Sequence, residues 1–170
     1  MLSKKFLQYR TNSWLKKNHT IRANGSYDKA ENVGIIFTIY DLKKHETVKK
    51  FINQLKKDDK NVEVLAYLPK GAQNFEFLFD FFTDKDLNFW GSFTSEVVIK
   101  FVKQPYDYLF NLDSDSNGMV SNVMAMSNAK CRIGKVIEGN EKFCEMMVQS
   151  PNGTTSSLIN EMYKYTKLLS

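Results

Sequence analysis

Cysteine, proline, histidine and arginine are all scarce in this chain of 170 residues, and each shortage removes a class of protein. The two cysteines, Cys131 and Cys144, come with no CxxC motif and no His-rich cluster, which excludes a disulfide scaffold. His19 and His45 stand far apart and neither has a partner at ligand spacing, so no metal site and no cofactor is expected. Three prolines leave little room for rigid linkers. Arg10, Arg22 and Arg132 are the only arginines, so the net charge of +5 rests on lysine. A surface poor in forked guanidinium groups argues against nucleic acid as a partner. No apolar run approaches the ~18–20 residues that span a bilayer. Residues 1–17 lack the apolar core of a signal peptide, and a cytoplasmic location is the expectation.

Apolar patterning, by contrast, is abundant. Hydrophobic residues make up 42% of the chain and aromatics 14%, with thirteen Phe and eight Tyr, enough for one globular domain with a substantial core. The run VGIIFTI at 33–39 has the continuous apolar character of a central strand covered on both faces. Val48, Phe51, Ile52 and Leu55 then recur at helical spacing, predicting an amphipathic helix over 42–57. NVEVLAYL at 61–68 reads as a second strand, completing a crossover unit of a parallel sheet. FEFLFDFF at 75–82 fits both periods, and its aromatic content and short length favour a strand. A helix over 95–103, strands at 106–112, 130–133 and 143–149, and a terminal helix carrying Leu158, Met162, Tyr165 and Leu169 complete the pattern. The expected fold is an α/β, Rossmann-like three-layer sandwich with a mostly parallel sheet. Residues 1–32 form a basic N-terminal helix and connector, and 33–170 a single domain on which that helix and the C-terminal helix pack.

The turn DSDSNG at 113–118, between a strand and a helix, concentrates the candidate ligand-binding residues Asp113, Asp115, Asn117 and Gly118. Its spacing fits the first half of a calcium loop, but Met124 stands where a bidentate Glu would be needed. Helix capping by Asp and Ser, with Gly118 relaxing the turn, ranks above a metal. Asp113 and Asp115 would also repel phosphate, and neither GxGxxG nor GxxxxGK[ST] occurs. Arg132 could bind an anion, or pair with Asp107 or Asp113. Asp41, with His45 one helical turn on, is the single catalytic candidate. The reading favoured over catalysis has Asp41 capping the helix and His45 facing solvent.

YDYLFNL, the turn, MVSNVMAMS and AKCRIG together resemble the N-terminal Rossmann-like domain of heptosyltransferase-type glycosyltransferases. The resemblance covers roughly 33–134 and sets Asp41 where that family carries a strand-end catalytic base. Tyr40 replaces the Gly that precedes that residue in the family, and the Pro of the following helix is absent. The family's second, nucleotide-sugar-binding domain has no counterpart in these 170 residues, so the resemblance implies a shared fold more than a shared reaction. With its basic N-terminal helix and the segment FFTDKDLNFWG, the chain also resembles a small family of uncharacterised bacterial proteins.

The function expected from these residues is a non-catalytic, cytosolic binding or interaction module with an unknown protein partner. Phe89, Trp90 and Phe93 form either a partner surface or core. The alternative is a glycosyltransferase-related nucleotide-sugar binder or enzyme that needs a partner chain to complete its site. A third expectation is attachment of residues 1–17 to an anionic membrane surface, although their mixed stripes fit a clamp across the domain better.

Overall fold

The computed structural model describes residues 2–76 and 78–169, with backbone alone at 2–4. Met1, Phe77 and Ser170, which fall in segments expected to be regular, lie outside the described residues. Eleven principal elements follow in the order α1 (Leu2–Lys17), β1 (Asn32–Thr38), α2 (Leu42–Lys57), β2 (Asn61–Tyr67), β3 (Asp80–Phe82), α3 (Glu96–Lys103), β4 (Tyr108–Asn111), α4 (Gly118–Met126), β5 (Cys131–Lys135), β6 (Met146–Val148) and α5 (Thr155–Lys167). The six strands form one sheet in the order β3-β2-β1-β4-β5-β6, and every pairing is parallel. This is the doubly wound Rossmann-like arrangement, built outward in both directions from β1 and β4.

Covered on both faces, the central strands are apolar throughout rather than alternating. From β1, Val33, Ile35 and Phe37 enter the core under α2 and α5, and Ile36 enters the core on the other face, under α3 and α4. Gly34 is required by space: a Cβ there would lie 2.9 Å from the Tyr106 ring and from Leu109. On α2, Val48, Phe51, Ile52 and Leu55 face the sheet as their spacing predicts. α1 runs beside α4, held by buried Leu7 and by the Asn122 amide, which donates to Thr11 Oγ1 at 2.8 Å.

Segment 18–31 is a fastened strap rather than a loose connector. The Asn18 amide donates to the carbonyls of Ala125 and Ser127, and the Arg22 guanidinium to those of Ser127 and Ala129. Further along, Tyr108 donates its phenol to the Gly25 carbonyl, and the Lys60 ammonium caps the carbonyls of Tyr27 and Ala30.

The expected strand at 75–82 is reduced to three residues. Glu76 turns the chain with a φ of +59°, Leu78 stays exposed, and Phe79 packs edge-on to Phe37. Pairing begins only at Asp80, opposite Leu65. Among the described residues the β2–β3 connection holds no helix, and the outer edge of β2 from Asn61 to Val64 has no neighbouring strand.

Candidate functional site

In an open parallel sheet, ligands bind at the carboxyl ends of the strands, where neighbouring connections leave in opposite directions. Here that point lies between β1 and β4. A single buried carboxylate spans it. Asp113, 1% exposed, accepts from the Thr38 backbone N–H at 2.8 Å and from the Thr38 hydroxyl at 2.6 Å. The Lys44 ammonium, also buried, reaches the same carboxylate at 2.6 Å. Asn117 joins the group, donating its amide to Thr38 Oγ1 at 3.1 Å while its oxygen caps α4 at Met119 N. The ends of β1 and β4 are thus tied together through Thr38 and the Asp113 carboxylate, whose charge the Lys44 ammonium of α2 neutralises.

Above this knot opens a cleft of about 470 Å³. Tyr40, Asp41 and Lys43 come from the β1–α2 turn and the start of α2. Ser114 and Asp115 come from the β4–α4 turn, and residues 153–156 from the start of α5. Asp41 is exposed and caps α2, accepting from Lys44 N at 2.7 Å. Thr154 caps α5 in the same way through Ser157 N. Tyr40 is half exposed; partial burial and then the Asp113 charge push its phenol up. The Lys44 ammonium lies 4.7 Å from the Tyr40 ring centroid, within cation–π range. The cleft therefore offers an aromatic face, two exposed carboxylates and several hydroxyls, with its deepest charges already neutralised.

The sequence candidates fall into separate environments. Asp113 and Asn117 belong to the knot, Asp41 and Asp115 stand exposed at the cleft, and Gly118 starts α4 beneath Leu7. Arg132 is remote from them. It is buried in a two-pronged bridge to Glu145, with contacts of 2.7 and 3.1 Å, and donates a third bond to the Met124 carbonyl. Neither expected partner, Asp107 nor Asp113, pairs with it. Asp107 instead holds the Glu31 and Asn32 N–H groups and Lys130.

His45 does not face solvent. It is 1% exposed, packed against Phe75 and Phe79, with Nε2 at 3.5 Å from Glu76 Oε2. Its ring therefore points away from Asp41, and only backbone links the two residues. Glu46 and Glu76 complete a cluster with ligand spacing. The Lys49 ammonium bridges both carboxylates, at 3.3 and 3.0 Å, and offsets one of their two negative charges.

Sequence reasoning missed Thr38, Lys44 and the 153–156 segment. Lys44 carried no signal, because one lysine among several on a polar helix face looks solvated until the fold places Asp113 under it. The Gly-Thr-Thr-Ser-Ser run, by contrast, was a readable helix start.

A larger groove of about 880 Å³ lies away from the strand ends, between α2 and α3 along the open edge of β2. It occupies the place of a crossover helix. Its walls mix the charged side chains of Lys49, Lys56, Lys100, Glu63, Asp80 and Glu96 with apolar residues of β2, and it lies off the carboxyl ends of the strands, where ligands of open parallel sheets bind, so the switch-point cleft is the better candidate.

A doubly wound parallel sheet with a cleft at its switch point defines a Rossmann-like α/β fold. Residues 4–169 match a family of unknown function (DUF6913), and the chain belongs to that family. Neither the curated proteins nor the solved structures contain a match to it.

Proposed function

We propose that this protein is a binding module that takes a small, hydroxyl-rich ligand, of the glycosyl type, in the switch-point cleft. One observation supports the reading above others: the exposed Tyr40 ring stands beside the Asp41 and Asp115 carboxylates and the Thr154–Ser156 hydroxyls at the carboxyl edge of the sheet. An aromatic face covers the apolar side of a sugar ring, while carboxylates and hydroxyls accept and donate to its hydroxyl groups. The acidic rim disfavours a bare phosphate. Cytosolic residence fits the two free, buried thiols, and among the described residues no helix is long and apolar enough to cross a membrane.

The test is a thermal-shift screen of monosaccharides, nucleotide sugars and nucleotides. A ligand at a hundred times its Kd stabilises the native state by about 2.7 kcal/mol, a rise of about 5–10 °C for a chain of this size. Tyr40→Ala should abolish the shift. No shift from any glycosyl compound, or an unchanged shift in Tyr40→Ala, sinks the proposal.

A second reading rests on Asp41, exposed at the cleft mouth in the position that the glycosyltransferase resemblance gives to a catalytic base. In that case the chain is half of an enzyme, and a partner chain supplies the nucleotide-sugar half-site. Turnover of a nucleotide sugar that appears only with a co-purified partner, and disappears with Asp41→Asn, distinguishes it from simple binding.

A further inference from the structure

We infer that the α1 side of the molecule docks on an anionic lipid bilayer, through a cluster of exposed aromatic rings set beside the basic helix. The net charge of +5 has one address. α1 carries Lys4, Lys5, Arg10, Lys16 and Lys17 and no acidic residue, while the rest of the chain balances at nineteen basic against nineteen acidic.

Against this helix lies the turn at 88–91, between Leu87 and Phe93, which pair in an antiparallel bridge. Its tip presents Phe89 and Trp90, 66% and 58% exposed. Their rings meet edge-on at 5.3 Å, and Phe6 of α1 closes the triangle at 5.9 and 5.8 Å. Tyr9, one helical turn from Phe6, is 70% exposed. Phe93, at the base of the turn, is buried and anchors it.

The tip is built to hold these rings outward. Asn88 Oδ1 accepts from the N–H groups of both Trp90 and Ser92 at 3.0 Å, and the Arg10 guanidinium donates to the Trp90 carbonyl at 3.3 Å. Gly91, with a φ of +72°, lets the turn sit directly on the α1 backbone, where a Cβ would lie 2.8 Å from Leu7 N. A fixed patch of Phe, Trp and Tyr rimmed by Lys and Arg has the composition of a membrane interface. The rings settle at the headgroup level and the cations meet anionic lipid. The paucity of Arg favours lipid over nucleic acid as the source of the negative charge.

Co-sedimentation of the full chain with vesicles tests this, using phosphatidylcholine alone and phosphatidylcholine containing phosphatidylglycerol. Binding is expected to the anionic vesicles only, and to weaken as salt rises from 50 to 500 mM. In a Trp14→Phe background, Trp90 emission should shift to the blue on binding. Reversing two charges with Lys5→Glu and Lys16→Glu should lower the partition coefficient by at least about tenfold, since each surface cation contributes roughly fivefold. Phe89→Ser with Trp90→Ser should abolish the binding while the melting temperature stays within about 2 °C of the parent, as expected for exposed sites. Absence of binding to anionic vesicles overturns the inference, as does equal binding by both double variants. Tighter binding to a single-stranded oligouridine, or a dimer that dissociates in Phe89→Ser with Trp90→Ser, assigns the surface to another partner and overturns it too.

Discussion

Replacing Asp113 with Ala should be among the most damaging single changes in the molecule. The carboxylate accepts from two Thr38 groups and from Lys44, all at 2.8 Å or less, and it is 1% exposed. Its loss leaves an ammonium whose side chain is only 6% exposed, with no counter-charge, and two Thr38 donors without their acceptor. Breaking a buried pair from one side costs about 3–5 kcal/mol, at least about a fifth of the stability of an ordinary domain. For a chain of this length, that lowers the melting temperature by roughly 6–20 °C. Lys44→Met should cost less, about 1–3 kcal/mol, because Thr38 still donates twice to the carboxylate left behind. The double variant should be less damaged than the two losses added together, with a coupling above about 1.5 kcal/mol. Urea denaturation of the four proteins measures the cycle. Additivity within about 0.5 kcal/mol, or an Asp113→Ala loss below 1 kcal/mol, would falsify the claim that the buried Lys44–Asp113 pair stabilises the knot at the two central strand ends.

Three further outcomes follow from other parts of the structure. Gly91→Ala should cost about 2 kcal/mol or more by chemical denaturation, because the added methyl meets the α1 backbone at 2.8 Å from a residue at positive φ; a neutral effect would mean that the turn does not rest on α1. Burial pushes both Cys131 and Cys144 thiols up to about 12. At pH 8 an aromatic disulfide reagent should therefore label the native protein only as fast as it opens, and fast stoichiometric labelling would contradict the buried placement. Burial raises the Asp107 carboxyl, but the Asn32 N–H, Lys130 and the Glu31 N–H outweigh it and hold the group below its ordinary value. Its folded value is depressed, so its contribution is present above pH 4 and fades as pH falls further. Asp107→Asn should flatten the melting temperature against pH in that acid window, and an unchanged acid slope would count against the assignment.

Elements with one dominant period were legible from the residues alone. α2 begins and ends where its apolar spacing places it, at Leu42 and Lys57, because no competing pattern crosses it. β1 is offset by a single residue, since a strand buried on both faces has no polar edge to mark its ends. Segment 75–82 was not legible. Its aromatics satisfy two periods at once, and the outcome turns on Phe79 reaching Phe37 across the sheet while Leu78 remains outside. The knot at the switch point was half legible. Asp113 stood out because it lies in an acidic turn, but its partners Lys44 and Thr38 are 69 and 75 residues away. Arg132 shows the same limit, since Glu145 comes beside it only when β5 pairs with β6, one position before the Ile133–Met146 pair. Long-range charge pairing depends on the completed fold, and local pattern carries no trace of it.

The placement of α1 links the two proposals without making either depend on the other. Leu7 packs beside Gly118 at the start of α4, and Asn18 binds the carbonyls of Ala125 and Ser127 at its end. α1 is therefore parallel to α4, with Phe6 and Tyr9 at the carboxyl edge of the sheet, the same edge at which the cleft opens. The faces differ: the cleft lies between the starts of α2 and α5 and the β4–α4 turn, whereas Leu7 and Phe93 belong to the core under α3 and α4. A bilayer lying along α1 would run beside the cleft and leave its mouth in water. Ligand binding and docking should then be uncoupled. Tyr40→Ala should leave vesicle partitioning unchanged, and Trp90→Ser should leave ligand-induced stabilisation unchanged. Reciprocal loss in either variant would instead require a shared element that switches between two states, which linkage demands of any coupled pair of sites.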